Sequence, residues 1–314
     1  MYQEYAIDPT TICRSFDRFK LIWNGLGYSE GRLLSRFPTK WQRKLLKSET
    51  YLSLSDGQRS KVLEILTREE FSQQKIIASG RSFKPETPTW LEDAERVHTA
   101  KPFHAILSEE NPREHCSVAC YNNIGEEGDC WSTPTPWQIK RCHTDIAKAS
   151  GPLLKVSREI LFIEPYFQFK TRFTRPLKRM LETVNDYEPR ITRIEIHLKE
   201  GNPPDGFDTF LDGFEHDLRN KLQDCCTRPC DVLLDKLEFF IWDSPDDNRM
   251  HPRYILTDVS GLGFENGLDE DPTGGTFTDV SRIAGVSKER RWAEFQTTSA
   301  TRTLIKTFKA TDFT

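Results

Sequence analysis

The segment His251-Pro252-Arg253-Tyr254-Ile255-Leu256-Thr257-Asp258 brings an imidazole, a guanidinium and a carboxylate into one short stretch of the 314-residue chain. Residues two apart on an extended backbone point to the same face, so His251 and Arg253 would project side by side. Arg253 could then hold phosphate oxygens with its fork of N–H donors. His251 could attack phosphorus and form a covalent phosphohistidine. Asp258 could orient a ring nitrogen or hold the basic side chain. The bland alternative is the start of a surface strand with incidental charges. What raises the segment above it is its place after a regular α/β run.

That run begins at Ser157. Ile160-Leu161-Phe162-Ile163 is a continuous apolar stretch, as expected for a strand buried on both faces, and it ends in Glu164-Pro165-Tyr166-Phe167. A helix follows with Leu177, Met180, Leu181 and Val184 on one face. Residues 191–198 alternate, with Ile194, Ile196 and Leu198 facing one way and Arg193, Glu195 and His197 the other. A second helix carries Phe207, Phe210, Leu211, Phe214, Leu218 and Leu222 at helical spacing. Strands are then expected at 237–242, 254–256 and 262–264. The alternation predicts a mainly parallel or mixed sheet flanked by helices. Ligands of such sheets sit beyond the carboxyl ends of the strands, which places Glu164, Tyr166 and Asp243 on one rim. The stretch from Phe167 to Arg175 interleaves aromatic rings with Lys170, Arg172 and Arg175. Either the cations track phosphates while the rings stack on bases, or the rings pack beneath a helix start and leave the cations in water. Lys288 to Trp292 poses the same choice. The acids Asp246, Asp247, Asp269, Glu270 and Asp271 would oppose an anionic substrate, restrict access, or form a helper site for a cation.

The H-x-R-x4-D segment and Glu164-Pro165-Tyr166 resemble the phospholipase D superfamily, whose pattern is H-x-K-x4-D, a Gly-Ser-x-Asn segment, and a strand ending in Asp-Pro-Tyr. Here Arg253 stands where that family has Lys, and Glu265-Asn266 stands where Gly-Ser is expected. With Gly267-Leu268-Asp269, the segment is more similar to the phospholipase-D-like C-terminal domain found after the microtubule-interacting-and-trafficking domain, and to its bacterial relatives. The resemblance spans roughly residues 157–270. It implies a protein that acts on or binds nucleic-acid phosphodiesters in bacterial phage defence. Catalysis would run through His251, Arg253 and Asp258, with Glu164, Tyr166, Lys170, Arg172, Arg175 and Asn266 holding the substrate. No metal or other cofactor is implied. Active members use two such motifs and one occurs here, so an enzyme would need a homodimer. The alternative is a non-catalytic phosphate, nucleic-acid or membrane binding module that assembles with a partner protein, such as one from the same defence operon.

Residues 1–88 read as a helical N-terminal region and residues 89–314 as the phospholipase-D-like domain, with Ser55 and Gln58 forming a capping box. A helix is expected over 30–47, broken at Pro38, and another from Trp137. From Thr11 to Lys84 there are 15 Lys/Arg against 7 Asp/Glu, although the chain carries a net charge of −4. The basic run of Arg32, Arg36, Lys40, Arg43, Lys44 and Lys47 is either a nucleic-acid-facing surface or the solvated face of a core. His115, Cys116, Cys120, Cys130, Cys142 and His143 form one Cys/His group, and Cys225, Cys226 and Cys230 another. Neither has paired zinc-knuckle spacing, which favours free thiols in a cytoplasmic protein. The N-terminus lacks the pattern of an export signal, and there is no apolar run of about 18 residues, so no transmembrane segment is expected.

Overall fold

The computed structural model describes residues 2–68, 74–77, 81, 83, 89–124, 130–132, 136–185, 191–200, 207–225, 230–243 and 250–313. The chain forms two compact units, Met1–Pro134 and Thr135–Thr314. Both are α/β, and the second contains the mixed, helix-flanked sheet. No described helix is long and apolar enough to cross a membrane.

In the first unit, strands β1 (Gln3–Ile7), β2 (Arg32–Ser35), β3 (Ile76–Ile77), β4 (Ala105–Ser108) and β5 (Val118–Cys120) form a parallel sheet in the order β3-β2-β1-β4-β5. The described helices include α1 (Phe16–Asn24), α2 (Trp41–Leu45), α3 (Glu49–Leu52), α4 (Asp56–Thr67) and α5 (Trp90–Ala100). This corrects the mostly helical reading: the expected helix over 30–47 is strand β2 followed by the single-turn α2. It also moves the division from residue 88 to 134, because β4 and β5 complete the sheet that β1 begins. Both faces are covered. Tyr5, Ile7, Leu34 and Leu107 pack with Phe19, Ile22 and Trp41. Ala6, Ile106 and Val118 pack with Phe37, Leu91 and Val97. The strands are short, and alternate residues serve different cores, so little periodicity reaches the sequence.

The capping box forms as expected. Ser55 accepts from the Gln58 backbone N–H, Gln58 reaches back to the Ser55 backbone, and α4 buries Val62 and Leu66. Ser55→Ala should cost about 1 kcal/mol by orphaning a helix-end donor, read as a lower urea midpoint for this unit.

In the second unit the strands are β6 (Trp137–Lys140), β7 (Glu159–Ile163), β8 (Arg193–Lys199), β9 (Leu237–Trp242), β10 (Arg253–Thr257), β11 (Gly261–Phe264), β12 (Phe277–Ile283) and β13 (Leu304–Lys309). Their order is β13-β9-β8-β7-β10-β11-β12-β6. The central β7, β8 and β9 run parallel, while β10 is antiparallel to β7, and the outer pairs are antiparallel. The helices are α6 (His143–Leu154), α7 (Thr171–Asn185), α8 (Phe207–Cys225) and α9 (Gly285–Glu294). The helix expected from Trp137 starts only at His143, because residues 137–140 pair with β12 as an edge strand.

The four apolar residues of β7 are all buried, as the sequence implied. Strand β8 differs from its expected alternation, because its polar residues also face a core. His197 is fully buried. Its Nδ1 accepts from Trp242 Nε1 at 2.9 Å, so its proton sits on Nε2, which donates to Glu195 at 2.9 Å. Arg193 donates to both Glu195 oxygens, at 2.6 and 2.8 Å. Phe240, Trp242 and Phe295 enclose the imidazole.

Candidate functional site

Strand polarity places the site. The carboxyl ends of β7 and β8 and the amino end of the antiparallel β10 lie on one rim, since Ile163 is opposite both His197 and Tyr254. Glu164 and Tyr166 leave β7 there, Lys199 ends β8, and His251 and Arg253 enter β10.

Tyr166 joins the two residues that head the motif. Its hydroxyl lies 2.8 Å from His251 Nδ1, and its ring carries the Arg253 guanidinium at 5.1 Å and the Lys199 ammonium at 4.4 Å. His251 is exposed and Arg253 half-buried. Among the described residues the Arg253 guanidinium makes one long hydrogen bond, from Nη1 to the Glu265 carbonyl at 3.3 Å, and its Nε is buried without a partner. Arg253 lines two hollows. One, of about 340 Å³, also includes Glu164, Tyr166, Arg172, Asn266 and Asp269. The other, of about 400 Å³, includes His251, Tyr254, Glu265 and Asp279.

Behind this surface is a set of buried carboxylates. Glu164, 3% exposed, accepts from Leu268 N–H at 2.8 Å and Tyr166 N–H at 3.3 Å. Burial holds its carboxyl above the ordinary range. The neighbouring Asp269 carboxylate adds to the rise, while the two N–H donors and Arg253 oppose it. Asp269 pairs with Arg141 at 2.5 Å and Arg172 at 3.6 Å. Glu270 pairs with His143 at 2.8 Å and Arg175 at 3.4 Å. Asp269 and Glu270 are therefore each paired with arginine, where their place in the sequence suggested carboxylates that oppose an anion. Asp246 and Asp247 lie outside the described residues.

Gly267 makes this packing possible. Its φ is +107°, and a Cβ there would sit 2.7 Å from Asp269 Oδ1 and 3.2 Å from Glu164 Oε2. Gly267→Ala combines backbone strain with a clash between two carboxylates. It should cost about 1–3 kcal/mol, measured as a lower melting temperature, and should weaken anion binding in the adjoining hollow.

Asp258 is not part of this site. It sits beyond the far end of β10, on the order of 16 Å along the strand, where it accepts from Arg158 N–H at 2.9 Å and Glu159 N–H at 3.3 Å. Its carboxylate anchors the start of β7 instead of orienting His251. Arg172 and Asn266 line the same hollow as Arg253. Arg175 is exposed and tied to Glu270, and Lys170 is exposed with no side-chain partner among the described residues.

The rings between these cations do not face solvent. Phe167, Phe169 and Phe173 are each at most 7% exposed and pack with one another and with Phe239. Base stacking by these residues is thus replaced by core packing. In 288–292, Lys288 is buried, reaching the Asp258 carbonyl, and Arg291 pairs with Glu294. The Cys/His group is divided: His115, Cys116, Cys120 and Cys130 belong to the first unit, and Cys142 and His143 to the second. Cys116, Cys120, Cys130 and Cys142 are free thiols, Cys225 is buried, and no three His, Cys, Asp or Glu converge as a metal site among the described residues. Cys226 lies outside the described residues.

Arg141 and Lys199 were missed by sequence reasoning. Lys199 could have been found from its place at a strand's carboxyl end. Arg141 lies 128 residues from Asp269 and had no local signal.

No family model and no curated protein matches the chain. Among solved structures it is similar to TrmBL2, described as an archaeal chromatin protein with a novel mode of DNA binding, at 11% identity and a TM-score of 0.31 over 59% of this chain and 58% of that one. It is also similar to the phosphatidylserine synthase of Haemophilus influenzae Rd KW20, at 13% identity and a TM-score of 0.36 over 72% of this chain and 49% of that one. The match spans less than two thirds of either structure's length. Neither likeness is close enough to assign a family or an activity to this chain.

Proposed function

We propose that the second unit receives a nucleic-acid phosphodiester at the His251–Arg253 rim and cleaves it without a metal ion, in bacterial defence against phage. Tyr166 carries this reading, because its hydroxyl holds Nδ1 of His251 while its ring supports the Arg253 guanidinium. With Nδ1–H donating to the tyrosine oxygen, Nε2 offers its lone pair to phosphorus. The Nε2–P bond forms as an ester P–O bond breaks, and the leaving oxygen takes a proton. Among the described residues, His251 is the one imidazole lining these hollows, so that proton comes from His251 of a second copy. Water then attacks the phosphoimidazole, releasing a phosphomonoester and restoring the histidine. Arg253, Lys199 and Arg172 offset charge on the phosphate oxygens, and Lys170 and Arg175 extend the cationic approach. The phage-defence setting follows from the resemblance carried by H-x-R and Gly-Leu-Asp.

A second reading, binding without cleavage, is favoured by the remoteness of Asp258. A nuclease assay in EDTA separates the two. The proposal expects cleavage by the wild-type chain and a loss of at least about a thousandfold in His251→Ala. Cleavage that survives the substitution overturns the histidine mechanism. Binding without cleavage by either protein supports the second reading.

A further inference from the structure

We propose that the first unit carries its own binding surface for a nucleic-acid backbone, built by Arg36, Lys40 and Arg43. The ligand class matches that proposed for the second unit, but the residues and the evidence are separate.

Arg36 follows β2, and its N–H donates to the Ile77 carbonyl at the end of β3. The surface therefore lies beyond the carboxyl ends of two adjacent parallel strands, where α/β sheets place ligands. Lys40 and Arg43 come from the turn that starts α2. The three line a hollow of about 140 Å³ whose floor includes buried Trp41 and Ile76. Trp41 is fixed by donating Nε1–H to the Ile7 carbonyl at 2.6 Å, so the floor is rigid.

The decisive contrast is with neighbouring cations. Arg32 donates to the Gly25 and Trp131 carbonyls, Lys44 stacks over Phe83, Arg59 pairs with Asp56, Arg68 pairs with Glu64, and Lys75 reaches the Trp23 carbonyl. Arg36, Lys40 and Arg43 are exposed, and their side chains have no ion pair or hydrogen bond among the described residues. No Asp or Glu lines the hollow among the described residues. Three uncompensated cations over a rigid floor suit successive phosphates of a polyanion. Among the described residues, no exposed apolar side chain lines the hollow to anchor in a bilayer, which favours a nucleic acid over an anionic membrane.

The test is binding of the 314-residue chain to a mixed-sequence single-stranded DNA oligonucleotide across a salt series. Each phosphate contact contributes about 0.7 to the slope of log K against log salt. Arg36→Gln, Lys40→Gln and Arg43→Gln together should make the slope shallower by about 2 and lower affinity at low salt. Arg253→Ala, in the other unit, reports separately on the rim site. An unchanged slope and affinity in the triple variant overturn the proposal, as does loss of capture by phosphatidylserine vesicles with DNA binding intact. Acetylation footprinting of the wild-type chain keeps the proposal testable if that variant misfolds. Saturating DNA should protect Lys40 but not Lys20, and an unprotected Lys40 in the bound state overturns the proposal.

Discussion

Arg253→Ala is expected to weaken phosphodiester binding at the rim by about 2–3 kcal/mol, or roughly 30- to 150-fold in Kd. Its Nη1 makes a long bond to one carbonyl and its Nε is buried, so it is the outer edge of the fork, with no other hydrogen-bond partner among the described residues, that is available to an anion. The charge is held in place by the Tyr166 ring, so binding loses little side-chain freedom. Arg253→Lys keeps the charge but loses the planar fork, and should recover only part of the affinity. Fluorescence anisotropy with a short labelled oligonucleotide checks both variants. The salt slope of Arg253→Ala should fall by about one contact. Equal affinity in wild type and Arg253→Ala would mean that the guanidinium does not face the ligand.

His197→Ala is expected to be the most destabilising single change considered, at about 3–5 kcal/mol. It leaves the Trp242 N–H without its acceptor and Glu195 without one donor, inside a core closed by Phe240 and Phe295. Burial pushes Glu195 upward, but hydrogen bonds from His197 and Arg193 outweigh it and hold the carboxyl below its ordinary value. Burial holds the His197 imidazole below its usual 6.5, so it stays neutral in the folded chain at pH values where the unfolded chain takes up a proton. Below about pH 6.5 the unfolded state binds more protons at this residue, and stability falls as pH is lowered through that window. His197→Gln removes the titrating group, so urea unfolding should show a shallower loss between about pH 7 and pH 5 than in the wild type. An identical pH dependence would contradict the neutral, Trp242-bonded tautomer.

The legible parts of the site depended on short sequence separations. His251 and Arg253 could be placed together because a two-residue step on a strand preserves the face, and Glu164-Pro165-Tyr166 because a buried apolar run ends there. The same geometry removes Asp258, since the length of β10 carries it to the opposite rim. The composition of 167–175 was equally compatible with stacking and packing, and burial of the three rings decided for packing. Arg141 was illegible because its partner Asp269 comes from a distant loop, held by a glycine whose positive φ leaves no sequence period. In the first unit, β2 and β3 span four and two residues, too few to outweigh the basic pattern around them. The order β3-β2-β1-β4-β5 arises from long-range pairing, which a local pattern does not encode.

The most direct test of the shared anion site is a crystal structure of the chain soaked with vanadate, which adopts the five-coordinate geometry of a phosphoryl group under attack. The account expects vanadium bonded to His251 Nε2, with the Arg253 guanidinium donating to the vanadate oxygens and Tyr166 retaining Nδ1. Vanadate bound elsewhere with this rim empty, or seated on Arg253 with His251 turned away, would contradict it.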